Sequence, residues 1–206
     1  RLRAPATLVL LALLPWHALL VTLGTRVLRG ANHAPWGVLA LWKEALLAAI
    51  LGMALLELLA KPSRIRPLDR LDACVLALAA LAAAVTAWLG TPPALILLGV
   101  KYDLVAPLAF VLLRRVPWPA DFGGRVLRWL RATAFLVAGY ALLTSALPQS
   151  FFGLLGYSTE FHSLYVPDSP LPAYHQIGEP MLRRIQGPMS GPNQLGLWLL
   201  LPWSIG

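Results

Sequence analysis

The chain has 206 residues, of which 58% are hydrophobic and only 13% charged, with a mean hydropathy of +0.69. Soluble globular domains carry roughly 25% charged residues, so a water-soluble monomer is excluded. The net charge of +8 is read as a membrane-topology signal and not as a nucleic-acid footprint. The single cysteine, Cys74, excludes an intrachain disulfide and a thiolate zinc site, and its apolar surroundings predict a buried filler residue.

No Asp, Glu, Lys or Arg occurs between Arg3 and Arg26, between Asp72 and Lys101, or between Arg131 and Glu160. Each gap holds the roughly 20 apolar residues that cross a bilayer. The pattern predicts an all-α, polytopic membrane bundle with five full spans, at residues 5–24, 35–60, 71–90, 94–113 and 129–147. A sixth span starts near Gln194. Residues 1–147 then form the helices with short loops, 148–192 a long loop, and 193–206 the start of the last helix. The first run has the length of a spanning helix and lacks the small-residue site of a cleaved signal peptide. The start at Arg1 and the short last run predict a piece of a longer membrane protein.

Positive charge is retained on the cytoplasmic side. With the N-terminus cytoplasmic, eleven Lys and Arg residues fall inside and only four outside, namely Arg26, Arg29, Arg183 and Arg184. The long loop then faces the extracytoplasmic space. Trp36 and Trp88 sit at outer ends and Trp118 and Trp129 at inner ends, the headgroup depth that indole prefers. Arg125, Arg128 and Arg131 share one helical face suited to anionic headgroups, or serve simply as a positive-inside anchor.

The soluble signatures GxGxxG, P-loop, HExxH and GxSxG are absent. Lys43, Glu44, Lys101 and Asp103 lie inside apolar spans, where an ionisable group costs roughly 2.5 to 3.5 kcal/mol and so needs a partner or a purpose. Counted inward at 1.5 Å per residue, Lys43 and Lys101 both lie roughly 12 to 14 Å deep. Lys101 and Asp103 are two apart and cannot pair on one helix face. Cross-helix pairing among the four predicts either a polar floor under an outward-facing cavity or an ion pair that sets helix register.

The loop of residues 148–192 is far longer than an ordinary connection, which marks it as the first place to seek function. Its end reads Arg184-Ile-Gln-Gly187-Pro-Met-Ser-Gly-Pro192-Asn193. Pro192 and Asn193 suit a first helical turn, whose free N–H groups favour an anion. Arg184 binds phosphate oxygens in bidentate fashion. The combination predicts an anion site at the outer membrane surface, suited to a lipid diphosphate. Arg183 competes with Arg184, and only the spacing favours the latter.

The spacing Arg-x-x-Gly-x-x-x-x-Pro-Asn, carried by Arg184, Gly187, Pro192 and Asn193, resembles the signature of the bacterial O-antigen ligase and O-antigen polymerase superfamily. Residues 99–107 and 41–44 look like its weaker motifs. The resemblance implies a GT-C-like, metal-independent glycosyltransferase with no cofactor, in the bacterial cytoplasmic membrane. It implies transfer of a glycan from an undecaprenyl-diphosphate carrier to a glycan or lipid acceptor. Arg184 would be the catalytic residue, stabilising the departing diphosphate. Gly187, Pro192 and Asn193, with Lys101 and Asp103, would shape the substrate site. The family also uses a later periplasmic loop carrying a further arginine and, in the ligases, a histidine; the piece ending at Gly206 is expected to be inactive alone, and ligase and polymerase both stand.

His162 and His175 are loop histidines able in principle to accept an acceptor proton, although a solvated role is the better expectation. Glu160, Asp168 and Glu179 show no glycosidase-like pairing. The alternative from another class is a transporter or flippase with a broken sixth helix that binds an anion at its terminus. A cell-wall polymerase of the shape-and-division type, handling the same carrier lipid, is the third.

Overall fold

The computed structural model of the protein describes residues 2–30, 33, 35–61, 66–156, 176–177, 182–183, 185, 187–189 and 192–205. The chain is mostly helical. Its helices are α1 (Arg3–Leu13), α2 (His17–Arg29), α3 (Gly37–Ala40), α4 (Trp42–Ala60), α5 (Arg70–Trp88), α6 (Pro93–Gly99), α7 (Val105–Arg115), α8 (Phe122–Ser145), α9 (Gln149–Leu154) and α10 (Pro192–Ile205). Strands β1 (Gln176–Ile177) and β2 (Leu182–Arg183) pair antiparallel, Gln176 opposite Arg183. The chain packs as two units, Ala48–Pro119 and Leu2–Leu47 with Ala120–Gly206.

In the unit Ala48–Pro119, α5 packs on α7. The start of α5 is fixed by a reciprocal cap. Asp69 accepts from the Asp72 N–H at 3.0 Å, and Asp72 accepts from the Asp69 N–H at 3.2 Å, satisfying donors that a helix start leaves open. Arg114, in the last turn of α7, reaches both carboxylates, with Nη2 at 2.6 Å from Asp69 Oδ2 and Nη1 at 2.6 Å from Asp72 Oδ1. Asp72 is only 1% exposed, so it is buried as half of an ion pair and not as a lone charge. The Arg114 guanidinium holds the Asp69 carboxyl at a pKa of about 2, helped by the Asp72 N–H, and Asp69 in turn raises the pKa of Arg114.

The fourth expected span is not a plain α-helix. Between α6 and α7, Val100–Leu104 form a π segment in which the Val105 N–H donates to the Val100 carbonyl. Pro107 explains the location: it has no N–H, and its ring conflicts with the carbonyl four residues back, that of Asp103. Lys101 and Asp103 both stand on this interruption.

In the other unit, α1 and α10 pack on α8, and α2 packs on α3. The first long helix is broken once. Pro15 cannot donate to Leu11, and the chain tightens into a 3₁₀ turn over Leu14–Trp16 before α2 resumes. Trp16 meets Tyr140 of α8 edge-on, with centroids 5.5 Å apart. Gly24 lets Leu39 approach to 3.0 Å of the point where its Cβ would stand. The Thr25 hydroxyl accepts from the Trp36 N–H at 2.8 Å. Arg29 lies 4.7 Å over the Trp36 ring.

Among the described residues four helical stretches are long and apolar enough to cross a membrane: Arg3–Arg29, Gly37–Ala60, Arg70–Trp88 and Phe122–Ser145. Their outer faces carry large apolar side chains in the open. Leu78, Leu81 and Trp88 of α5 are each at least 60% exposed. In water such faces would aggregate; against acyl chains they are solvated, and the protein is membrane-embedded. Cys74 corrects the expectation made for it: it is exposed. A helix that is apolar all round gives no face that marks burial.

Candidate functional site

The Arg-x-x-Gly-x-x-x-x-Pro-Asn spacing of the long loop has one half in view. Arg184 lies outside the described residues, as do Glu160, His162, Asp168, His175 and Glu179. Gly187 adopts φ +62 and is buried. A Cβ there would stand 3.2 Å from Leu195 and 3.3 Å from Ala141. Both the left-handed backbone and the close approach therefore call for glycine. Pro192 opens α10, and Asn193 beside it is exposed.

The turn that Gly187 starts is seated on the broken first helix. Pro188 is fully buried and Met189 nearly so, and the Pro188 carbonyl accepts from the Leu19 N–H at 3.2 Å. Leu19 is in the first turn of α2, where backbone donors stand open to outside partners. Met189 joins Val137, Ala141 and Leu195 in a core, with Trp16, Trp198 and Leu199 packed around it. Leu19 is ten residues before Arg29, or about 15 Å along the helix. Non-helical backbone is tolerated at membrane depth where protein buries it, and Gly187–Met189 meets that condition.

Beside the turn is a cleft of about 200 Å³, lined by Pro15, His17, Met189, Gln194 and Trp198 among others. It brings an imidazole from α2 and a carboxamide and an indole from α10, two distant parts of the chain, to one apolar hollow. The His17 ring lies 5.8 Å from that of Trp42. An imidazole and a carboxamide both donate and accept hydrogen bonds, so these two side chains supply polar groups to an otherwise apolar cleft. His17 and Gln194 were not legible as site residues, although a histidine directly after Pro15 and Trp16 in a run without formal charge was a usable signal.

The start of the long loop is tied down at a second point. Arg26 donates from Nη1 to the Gly153 carbonyl in α9. Gly156, at φ +97, sits so close to α2 that a Cβ would be 2.8 Å from the Thr22 carbonyl oxygen.

Lys101 and Asp103 are exposed on the π segment of the unit Ala48–Pro119. Lys43 and Glu44 are half-buried in the first turn of α4, within the other unit. Lys101 and Asp103 are two residues apart on this interrupted stretch. No family model matches this chain, and neither a curated protein nor a solved structure matches it.

Proposed function

We propose that this chain belongs to a polytopic transferase of the O-antigen ligase or polymerase type in a bacterial cytoplasmic membrane, with five or more spans in a GT-C-like bundle and the N-terminus cytoplasmic. It would take a glycan from an undecaprenyl-diphosphate carrier and join it to a glycan or lipid acceptor on the extracytoplasmic side. The observation that carries the reading is the spacing of Arg184, Gly187, Pro192 and Asn193. The positive φ of Gly187 supports it, because that position demands the residue the motif has.

In this reading the acceptor hydroxyl oxygen attacks the anomeric carbon, the bond from that carbon to the carrier diphosphate breaks, and the hydroxyl proton passes to a base. Arg184 holds the diphosphate and stabilises the charge that grows on its leaving oxygen, a contribution typically worth about 3 kcal/mol for one well-placed donor. Asn193 and the open N–H groups at the start of α10 extend the anion site. The hollow beside Met189, with His17 and Gln194, provides hydrogen-bonding groups next to it.

The test uses the full-length protein in a strain lacking the native copy. Arg184→Ala is expected to abolish mature surface glycan while carrier-linked glycan accumulates outside the membrane. Normal glycan with well-expressed Arg184→Ala overturns the reading. Carrier-linked glycan trapped on the cytoplasmic face favours the second reading, a transporter or flippase. That alternative draws on the π interruption at Val100–Leu104, since helices broken at ionisable residues are a transporter device.

A further inference from the structure

A second concavity lies elsewhere, along the contact of α8 with α10. It is a groove of about 610 Å³, within the size range of small-molecule sites and long enough in its lining for one acyl chain. Ala134 and Ala138, one turn apart on α8, form its floor, and Gly196 faces it from α10. Nothing lies within 4 Å of the point where a Gly196 Cβ would stand, so the groove owes its width to a missing side chain. Leu195 of α10 clusters with Ala141 of α8, and Arg131 and Trp203, the lining residues farthest along each helix from that pair, mark the groove's other end. Arg131 is the only charged side chain among the described residues that line the groove. It is exposed, and no carboxylate of the described residues pairs with it. Arg128, also exposed, is three residues nearer the helix start, while Arg125 is engaged with Asp121 at 3.1 Å.

A long apolar trough ending in an unengaged guanidinium and an indole has the polarity of one lipid molecule: hydrocarbon along the trough, phosphate at the cation, and the ring at the boundary between them. We propose that this groove is a binding site for a single anionic glycerophospholipid, with an acyl chain lying along Ala134, Ala138 and Gly196 and the headgroup phosphate on Arg131. A membrane phospholipid is favoured over a polyprenyl phosphate by position. Trp203 is eleven residues along α10 from Pro192, or about 16 Å, so the cation of the groove is at the far end of the helix from Asn193. The choice of a phospholipid over a polyprenyl phosphate rests on the transferase reading, which puts the polyprenyl diphosphate at the other end of α10; the groove and its cation do not.

The full-length protein, purified in mild detergent, would be offered phosphatidylglycerol, phosphatidylcholine with the same acyl chains, or undecaprenyl phosphate, and bound lipid counted by native mass spectrometry. One phosphatidylglycerol is expected to be retained, with phosphatidylcholine about fivefold weaker, the preference one basic residue gives for an anionic headgroup. Arg131→Gln is expected to erase that preference and keep weak binding of both. Gly196→Leu, which fills the trough and favours the helix, is expected to lose both lipids. Equal retention of the two phospholipids by the unaltered protein, a preference that survives Arg131→Gln, binding that survives Gly196→Leu, or stronger retention of undecaprenyl phosphate would each overturn the proposal.

Discussion

The start of α5 and the seat of the Gly187–Met189 turn solve one problem by opposite means. Both fix a segment against helices that are apolar nearly all round. In lipid, apolar faces gain little from meeting one another, so association must come from polar bonds or from close fit. At α5 the fixing is polar: two carboxylates and one guanidinium share three contacts of 3.2 Å or less, with Asp72 sealed from solvent. At the turn it is steric: a left-handed glycine, a buried proline and a single backbone bond to Leu19. A charged clamp tolerates small shifts because Coulomb attraction is long-ranged. A steric seat does not, because a void or an overlap of a few tenths of an ångström is felt at once.

The comparison is broken most directly at Gly156, the other steric seat. Gly156→Ala places a Cβ 2.8 Å from the Thr22 oxygen at φ +97. The expected loss is about 3 kcal/mol, from left-handed strain and overpacking combined, and is read as thermal unfolding in detergent. Next comes the clamp. Asp72→Ala removes one half of the α5 cap and the buried partner of Arg114, with an expected cost of about 2 kcal/mol, the upper range for a lost cap. If Asp72→Ala proves costlier than Gly156→Ala, the steric seat is the more forgiving of the two and the contrast fails.

The smallest effect sharpens the polar side. Asp69 has its pKa lowered from 3.8 to about 2. The folded state therefore holds that proton less readily than the unfolded chain, so the stabilisation is complete above the ordinary carboxylate value and is lost as pH falls towards about 2. Melting measured across that acid range is expected to drop more steeply in the unaltered protein than in Asp69→Asn. Equal slopes would mean that the clamp is not what responds to acid.

The membrane class and four of the long helices were legible because each is written locally, in runs without charge; the reciprocal cap of Asp69 and Asp72 was not read, although an acidic pair three residues apart was its signal. The helix starts show the limit. Residues 122–128 belong to α8 although Gly123, Gly124 and two arginines hide them from a hydropathy reading. The π segment was invisible because π and α turns share one apolar composition, and only Pro107 hints at it. Cys74 was misread because α5 has no polar face to orient it. In the candidate site, the need for glycine at position 187 was readable from spacing. The partnership of Met189 and Gln194 with His17 was not, since it depends on a break at Pro15 some 170 residues earlier in the chain.

The interruption at Val100–Leu104 also fixes a rotational phase. A π turn is, in effect, one residue inserted into an α-helix, so everything after it is turned by about 100° from where an unbroken helix would carry it. Arg114 meets Asp69 and Asp72 only in the turned setting. Loss of any one residue between Val100 and Leu104 would leave the composition and hydropathy almost unchanged, yet it would swing Arg114 off both carboxylates and leave Asp72 buried without its counterion. The extra residue acts as the key that indexes α7 to α5, and its length matters more than its identity.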